Sequence, residues 1–478
     1  MSPATENTES EQKFWLVCPI CKQPNPAGTY SCRHCWGPSL RSIKPISSEE
    51  LEIVMEQNEA RKKRMNTIRV VTISVLAPVL LFIAVFVYLY LGTDIIFAPD
   101  AALTSNPSLG DWSMYHRDVS HSGNAGTSTD SPQGNLKWTF STSAPIQSSP
   151  AVAGNTVYVG SNDNKLHAIN AETGAQIWEF ETGSFIWSSP AVANGVVYFG
   201  SNDGNLYALD ARTGDEIWRF ETPYAVKSSP AVAGGKVYFG ADDYVFYVLD
   251  AITGEKIWDF KTDGFIISSP AISEGIVYIT SYRYLYALNA ENGRFRLGYL
   301  TPREIYSSPA VHDGIVYFNC DSFLYAVQGN ARNWPNEYSI RSWWLQFYIV
   351  RLAPPPPPLS GHVGKFRLSW ARPQTTRSSP TIGEDVIYTC ASRNVTAIDI
   401  ASGETKWIFP TAGLIRSTPT LGNGALYVSS TAGRLYAIDS SEGTIIWEFS
   451  AGSMISSPAL DNGVIYVGSE DGNLYAIE

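Results

Sequence analysis

Four cysteines near the N-terminus have the spacing of a metal site. Cys18 and Cys21 form one Cys-x-x-Cys pair, and ten residues later Cys32 and Cys35 form a second. Two such pairs, each in a tight turn, can complete the tetrahedral sulfur site that suits Zn²⁺. The segment 14–40 is too short to build a hydrophobic core, so we expect a zinc ribbon in which the metal supplies most of the folding energy.

Two alternatives concern the ligands of this ribbon. The pairs could be redox-active or disulfide-bonded, but no thioredoxin-like βαβ pattern surrounds them, and the cytoplasmic location expected for this segment is reducing. His34 lies between two cysteines and could replace one of them. Because four thiolates would fill the coordination sphere, we predict a structural Zn²⁺ without a catalytic water.

The remaining sequence lacks the common catalytic patterns. It contains no G-x-S-x-G, H-E-x-x-H or phosphate-loop motif. Cys320 and Cys390 fall at offset positions of neighbouring predicted strands, so we expect buried thiols rather than a disulfide. The sequence therefore predicts no catalytic residue and no enzymatic activity.

A weaker candidate site consists of residues that directly precede a Ser-Ser-Pro or Ser-Thr-Pro triplet. Those with suitable chemistry are Trp187, Lys227, Tyr306, Arg377 and Arg416. If the triplets surround a central channel, these cations and aromatic rings could bind an anionic or sugar-like ligand at its mouth. The alternative is that they are ordinary residues of the rim.

Eight repeats of about 40 residues would position these residues. A tyrosine follows the proline of every triplet by eight residues, and the prolines are Pro150, Pro190, Pro230, Pro270, Pro309, Pro380, Pro419 and Pro458. Each unit contains four short strand patterns, with hairpin turns such as Asn-Asp-Gly at 202–204. This combination is typical of a β-propeller.

The two ends of the repeat region indicate how the ring closes. Residues 136–140 form a lone fourth strand, and the chain ends on three strands between Ser456 and Ile477. Pairing them completes an eighth blade and removes an open sheet edge. We therefore predict an all-β, eight-bladed propeller of four-stranded antiparallel blades over 136–478, preceded by a linker and lead-in over 92–135.

The repeats closely resemble those of the pyrroloquinoline-quinone (PQQ) repeat family. The segment Asp210–Trp218 (DARTGDEIW) matches the hallmark of that family, as do the segments ending at Trp178 and Trp258, and the lead-in from Asp111 to Gly123 is similar as well. The resemblance covers Asp111 to Glu478. It implies that the repeat tryptophans dock one blade against the next.

This resemblance raises a quinoprotein oxidoreductase as an alternative function. Such enzymes are expected to hold PQQ between a tryptophan and a disulfide of adjacent cysteines, beside Ca²⁺. The present sequence has no adjacent cysteines and lacks the large insertions that form such a pocket, so we expect no PQQ. Other family members, such as the propeller lipoprotein of outer-membrane protein assembly, bind partner proteins.

The fifth unit interrupts the regular spacing. Leu297 replaces the repeat tryptophan, the next fourth strand is predicted at Trp370, and an insertion at 329–365 rich in aromatic residues and proline lies between them. Long loops in compact domains are usually functional or disordered. We expect this insertion to contact a protein partner; packing against the rim and poor order are the alternatives.

An uncharged hydrophobic segment predicts a membrane anchor. Residues 70–91 would form a helix of about 33 Å, which exceeds the hydrocarbon thickness of a bilayer, about 30 Å. Basic residues at 61–69 precede it, so the positive-inside rule places the N-terminus in the cytoplasm and the propeller outside the cell membrane. A capping box at Ser47 and Glu50 predicts a juxtamembrane helix over 47–69. A cleaved signal peptide is the alternative.

The charge of the chain is compatible with this organisation. Its net charge is −11, and the acidic surplus follows the hydrophobic segment, which argues against nucleic-acid binding. We therefore predict a single-pass, signal-anchored binding or scaffold protein, with protein or ligand partners at a propeller face or at 329–365. A transmembrane sensor, in which ligand capture outside alters the ribbon inside, is a further alternative.

Overall fold

The structure is a computed structural model that describes residues 13–35, 39–87, 112–126, 131–334, 336–356, 358–367 and 378–478. The chain divides into two compact units, with the boundary after residue 89. The first unit contains a two-stranded sheet of β1 (Trp15–Val17) and β2 (Pro24–Pro26), followed by helix α1 (Ser48–Val87). The second unit contains eight four-stranded sheets.

Helix α1 begins at the predicted capping box. The backbone N–H of Ser47 donates to the Glu50 carboxylate at 2.9 Å, and the N–H of Glu50 donates to the Ser47 hydroxyl at 3.3 Å. The helix continues through Pro78 to Val87, so the predicted helices 47–69 and 70–91 form one element as far as it is described, and 88–91 lie outside the described residues. Its Ser48–Ala84 part is long and apolar enough to cross a membrane.

The second unit is an eight-bladed propeller, as predicted. Each blade is an antiparallel sheet whose strands we call A to D from the channel outward. The strand β3 (Leu136–Ser141) precedes the first four blades. Blade one consists of β4 (Ala151–Ala153), β5 (Thr156–Gly160), β6 (Lys165–Asn170) and β7 (Gln176–Glu181), and blade two of β8 (Ala191–Ala193), β9 (Val196–Gly200), β10 (Asn205–Asp210) and β11 (Glu216–Glu221). Blade three consists of β12 (Ala231–Ala233), β13 (Lys236–Gly240), β14 (Val245–Asp250) and β15 (Lys256–Lys261), and blade four of β16 (Ala271–Ser273), β17 (Ile276–Ser281), β18 (Tyr284–Asn289) and β19 (Phe295–Leu300).

Blades five to eight follow the same order, with one helical insertion in blade five. Blade five consists of β20 (Ala310–His312), β21 (Ile315–Cys320), β22 (Phe323–Gln328), helix α2 (Glu337–Ile349) and β23 (His362–Arg367), and blade six of β24 (Thr381–Ile382), β25 (Val386–Ala391), β26 (Asn394–Asp399) and β27 (Thr405–Pro410). Blade seven consists of β28 (Thr420–Gly422), β29 (Ala425–Ser430), β30 (Arg434–Asp439) and β31 (Ile445–Ser450). Blade eight consists of β32 (Ala459–Asp461), β33 (Val464–Gly468) and β34 (Asn473–Ile477), with β3 as its outer strand.

Blade eight is assembled from the two ends of the repeat region. Strand β3 pairs antiparallel with β34, so that Thr139 lies opposite Tyr475. Asn135 and Glu478 exchange two backbone hydrogen bonds, at 2.8 and 2.9 Å. The predicted closure of the ring is therefore confirmed, and β3 covers the outer edge that β34 would otherwise expose.

In most blades, the repeat tyrosine or tryptophan fastens the blade to the next one. In blade one, the Tyr158 hydroxyl and the Trp178 indole N–H both donate to the Ala211 carbonyl of blade two, at 2.9 and 3.1 Å. The indole lies against Gly214, where a Cβ would be 2.7 Å from the ring and where φ is +77°, a value that favours glycine. Equivalent bonds are donated by Tyr198, Tyr238, Tyr388, Trp138, Trp218 and Trp407.

The repeated triplets form a hydrogen-bonded ring around the channel. The backbone N–H of the second residue of one triplet donates to the side-chain hydroxyl of the second residue of the triplet in the next blade. Seven such bonds, of 2.9–3.2 Å, are described. The bond from Ser457 to Ser149 joins blade eight to blade one. The first serine bonds within its own blade, as Ser188 does with the N–H of Gly200 at 3.0 Å. Most of these hydroxyls thus have a structural partner.

The lead-in, residues 112–126, follows the inner strands around the channel. Its carbonyl groups accept hydrogen bonds of 2.5–2.9 Å from backbone N–H groups of six different A strands, those of Val152, Val192, Ile272, Val311, Ile382 and Leu421. These N–H groups would otherwise lack a partner at the inner edge of each blade. The lead-in is therefore an integral part of the propeller.

Strand D of blade five lies earlier than predicted. The sequence predicts this strand at Trp370, which lies outside the described residues, whereas the structure places it at His362–Arg367 as β23. Gly364 takes the usual position of the tryptophan, opposite Ala326. The ring of Phe366 covers Gly403 of blade six in its place. The prediction was wrong because this strand carries its docking aromatic two residues late, as phenylalanine.

Leu297 belongs to blade four and not, as predicted, to the fifth unit, and the insertion explains why it replaces a tryptophan there. Strand β19 is buried, unlike most other D strands, because the start of the insertion packs along it. The Tyr338 hydroxyl accepts a hydrogen bond from the N–H of Leu300 at 2.7 Å, and the Asn333 side chain accepts one from the N–H of Gly298 at 2.6 Å. Packing against the rim is therefore observed for the first part of the insertion.

Candidate metal centre and propeller-mouth pocket

The four N-terminal cysteines converge on one point. Their sulfur atoms all lie within 4.8 Å of one another. The Sγ atoms of Cys18 and Cys35 are 3.8 Å apart, and those of Cys21 and Cys32 are 3.5 Å apart. Zinc bound tetrahedrally at a Zn–S distance of about 2.3 Å would separate its sulfur ligands by about 3.8 Å. The predicted Cys₄ cluster is confirmed, and its dimensions suit Zn²⁺.

Asn25 organises this cluster from outside the ligand set. Its side-chain nitrogen lies 3.5 Å from the Cys32 sulfur, and its oxygen accepts the backbone N–H of Arg33 at 2.9 Å. Burial disfavours the Cys32 thiolate, but the N–H groups of Cys35 and His34 and the Asn25 amide outweigh it and lower the pKa of Cys32 to about 6. The sequence did not indicate Asn25, because its role depends on a contact across the turn.

His34 is directed to a backbone group rather than to the cluster. Its Nε2 lies 3.2 Å from the Pro24 carbonyl oxygen. Because the four thiol groups already converge without it, a ligand role for His34 is unnecessary. Lys22, which follows the first Cys-x-x-Cys pair, adopts a left-handed conformation with φ of +58°.

A pocket of about 320 Å³ lies on the propeller face that carries the D–A connections and B–C turns. It spans blades three to five. Charged groups and aromatic rings line it together, among them Lys227, Asp242, Phe265, Tyr282, Glu304 and Tyr306. We call this site the mouth pocket.

The polar groups of the mouth pocket are paired with one another. Lys227 Nζ lies 2.5 Å from an Asp242 oxygen and 5.4 Å from the centre of the Trp187 ring, which places this cation against both a carboxylate and an aromatic face. The Tyr306 hydroxyl donates to Glu304. The second oxygen of Asp242 is buried and accepts no hydrogen bond from the described residues. The pocket therefore combines a partly buried ion pair with aromatic walls.

The structure brings together only part of the predicted ligand set. Lys227 and Tyr306 line the mouth pocket, and Trp187 contacts Lys227. Arg416 is exposed in the connection that enters blade seven and does not line this pocket, and Arg377 lies outside the described residues. The sequence missed Asp242 and Glu304, because the turns that carry them meet only after the ring closes.

The two propeller cysteines are separate, buried thiols. Cys320 packs in the cluster between blades four and five, and Cys390 in the cluster between blades six and seven. Both are free. Burial raises the pKa of both thiols, that of Cys390 to about 12. They therefore lack the low pKa of reactive cysteines.

These features define an eight-bladed PQQ-like repeat propeller joined to a four-cysteine metal-site segment. The family model described as outer membrane protein assembly factor BamB matches residues 123–317 and 391–478, and the chain belongs to that family. A search of curated proteins finds no match.

Solved structures with a similar fold include both enzymes and non-enzymes. BamB from Moraxella catarrhalis is 17% identical, with a TM-score of 0.56 over 72% of this chain and 97% of its own. A europium-containing methanol dehydrogenase is 13% identical, with a TM-score of 0.64 over 77% and 98%. Quinohemoprotein alcohol dehydrogenase from Comamonas testosteroni is 14% identical, with a TM-score of 0.60 over 77% and 80%. Identities this low establish a shared fold and no shared activity.

Proposed function

We propose that this protein is a single-pass membrane protein whose extracytoplasmic propeller binds a ligand or a partner protein at the mouth pocket. The observation that carries the proposal is the pocket itself, where groups from three blades meet on one face. The family contains a protein-assembly factor, which supports an interaction role. Propellers commonly place their ligand sites on such a face because many loops converge there.

The chemistry of the pocket favours a polar, uncharged group over an anion. Asp242 neutralises Lys227, and Glu304 adds a further carboxylate. Aromatic rings beside hydrogen-bond acceptors suit the apolar faces and hydroxyl groups of a sugar, or a tyrosine or amide side chain of a partner protein. The anionic ligand expected from the cations alone is disfavoured by these neighbouring acids.

The proposed arrangement in the cell follows from α1 and its flanks. The uncharged part of α1 would span the bilayer, with the zinc ribbon in the cytoplasm and the propeller outside. Alkaline extraction of membranes tests the anchor, since a spanning helix keeps the protein with the lipid. Protease treatment of intact cells tests the orientation: cleavage of the propeller with protection of the ribbon is expected, and the reverse would contradict it.

Site-specific crosslinking tests the mouth pocket. A photoreactive amino acid at Tyr306 should capture the ligand or partner in cells, and a second substitution, Asp242→Ala, should reduce that capture at least fivefold. The matched control carries the same photoreactive group at Asp313, an exposed residue of an A–B turn on the other face. Equal capture from both positions would contradict a role for the mouth pocket.

A quinoprotein oxidoreductase remains the second candidate, because two structural neighbours are dehydrogenases of that class. Reconstitution with PQQ and Ca²⁺, followed by oxidation assays on alcohols and sugars, separates the two functions. We expect no turnover. A transmembrane sensor would instead require ligand-dependent crosslinking between copies of the chain, since a single helix conveys a signal poorly without dimerisation.

A further inference from the structure

Helix α2 presents its apolar side chains to solvent. Trp343, Ile349 and Leu352, just past its end, are 65%, 63% and 76% exposed. A surface helix of a globular protein normally directs such residues to the core and polar residues outward. Exposed apolar groups gathered on one short segment mark a surface that contacts a partner molecule or a membrane.

The exposure is not a consequence of a loosely held helix. The buried Glu337 carboxylate accepts bonds from the Ser360 N–H at 2.7 Å and from the Asn333 amide at 2.6 Å. Tyr338 bonds to strand β19. Further along, the Trp344 indole N–H donates to the Pro354 carbonyl at 3.0 Å and fastens the proline-rich return segment to the helix. The first turn of the helix is thus anchored to the propeller, while the exposed apolar side chains lie along the rest of the helix and just past its end.

The charge of this segment differs in sign from that of the whole chain. Residues 329–367 contain five basic residues and one acidic residue, Glu337, which is buried, whereas the chain carries a net charge of −11. No acidic residue occurs between Tyr338 and Arg367. Arg351 is exposed directly beside the apolar residues at the end of α2. A cationic, aromatic and aliphatic surface on an acidic protein matches an anionic lipid headgroup region.

We propose that α2 and the residues just after it, 340–352, dock on the surface of a lipid bilayer that contains anionic lipids. Trp343 and the aliphatic residues would enter the boundary between headgroups and acyl chains, where indole rings are favoured. Arg351 would lie among the headgroups. This inference rests on the proposed membrane anchor, since only 24 residues separate Val87 from Trp112 in the sequence and the anchor would keep the propeller near lipid.

Docking at two points would orient the propeller. A membrane helix followed by a linker fixes only proximity, whereas a second contact restricts rotation. The insertion, unlike the six regular C–D connections, is therefore a device that sets which propeller face is turned to the bilayer.

Vesicle flotation with the propeller unit, residues 112–478, tests the proposal. This unit completes all eight blades from its own strands, so it is expected to fold without α1. With vesicles of phosphatidylcholine containing 30% phosphatidylglycerol, we expect the unit to float. The triple variant Trp343→Ser, Ile349→Ser and Leu352→Ser should lower the partition coefficient at least tenfold, and Arg351→Glu should lower it severalfold at low salt only.

A matched control removes equally exposed apolar groups elsewhere. The variant Ile252→Ser, Ile408→Ser and Ile446→Ser changes three residues on other blades that are 81%, 54% and 53% exposed, and it should float like the wild type. Failure of the wild-type unit to float, or equal loss in both triple variants, would overturn the proposal. Capture of a protein by α2 in the absence of any vesicle binding would also overturn it.

The membrane anchor is tested separately. Vesicle binding by residues 112–478 does not involve α1, so a negative result refutes the docking of α2 and leaves the anchor untouched. Conversely, loss of the full chain from alkali-washed membranes refutes the anchor, whatever the propeller unit does with vesicles.

Discussion

At the residue scale, the metal site depends on the four thiol groups and on the turns that hold them. The sequence predicted the cysteines because their spacing is dictated by the geometry of a single ion. The sequence did not indicate the strain in the turn after Cys21. Lys22 there has a left-handed conformation, which is costly for any residue with a Cβ.

Replacing this lysine should strengthen the ribbon. Lys22→Gly removes a backbone cost of about 1 kcal/mol, and because metal binding is coupled to folding, the apparent zinc affinity should rise about fivefold. Competition with a chromophoric chelator measures the change. A lower affinity in Lys22→Gly would show that the lysine side chain contributes more than its conformation costs.

Removing the metal should unfold only the N-terminal segment. The purified chain is expected to hold one zinc ion, and a strong chelator or Cys32→Ser should abolish the structure of the ribbon. The propeller should keep its thermal transition, because it has its own core. Metal analysis and calorimetry together check this, and a shift of the propeller transition on chelation would contradict two independent units.

Because two histidines of the lead-in are buried, we predict that the propeller is less stable at acid pH. Burial, together with the proximity of the two rings, lowers the pKa of His116 to about 3, and burial lowers that of His121 to about 4. The unfolded chain, with a histidine pKa of about 6.5, therefore binds more protons than the folded one. Stability is fully present above pH 6.5 and should fall by about 2–4 kcal/mol by pH 5.

Asparagine variants provide the comparison for this pH effect. The double variant His116→Asn and His121→Asn keeps a side-chain amide near the carbonyl groups of His121 and Pro309. It should be less stable at pH 7.5 but show a flatter dependence between pH 5 and 6.5. Denaturation by urea at several pH values measures both, and an unchanged slope would contradict the assignment to these histidines.

At the element scale, each repeat contributes a hydroxyl to the ring around the channel. Ser189→Ala would leave the buried N–H of Ser149 without its acceptor, which costs about 1–3 kcal/mol. The control Ser342→Ala changes an exposed serine on α2 and should be nearly neutral. Chemical denaturation compares the two, and equal stability of both variants would refute a structural role for the ring.

Much of the strand arrangement within the blades could be predicted, because the repeat period of the sequence and the turn residues determine it locally. The eight triplets, the tyrosine spacing and the hairpin turns identify the blades from the sequence alone. The prediction misplaced strand D of blade five because it relied on a tryptophan, whereas the ring of Phe366 packs against the glycine of the next blade in this strand. The insertion could not be interpreted because its packing partner, β19, belongs to the preceding blade.

At the scale of the whole molecule, the site follows from the packing of consecutive blades. Lys227 and Asp242 border blade three and Glu304 lies in the connection that enters blade five, so no single sequence motif contains them. Only the fixed rotation from one blade to the next brings them to one pocket. The family and the fold could therefore be predicted from the sequence, whereas the composition of the mouth pocket could not.

An engineered disulfide across the closing strands tests this central feature most directly. Ser141 and Asn473 are paired in register, with their side-chain oxygens 2.6 Å apart. In residues 112–478, the variant Ser141→Cys and Asn473→Cys should form an intramolecular disulfide, seen on a non-reducing gel and by mass spectrometry. Because it closes a very long loop, it should stabilise the propeller by about 2–4 kcal/mol.

The control pairs Ser141→Cys with Ser441→Cys, an exposed residue of blade seven, and should form no such bond. An intramolecular disulfide confined to the 141–473 pair is the result expected for a ring closed by both ends of the propeller. Reduced thiols, or disulfides only between molecules, would contradict it.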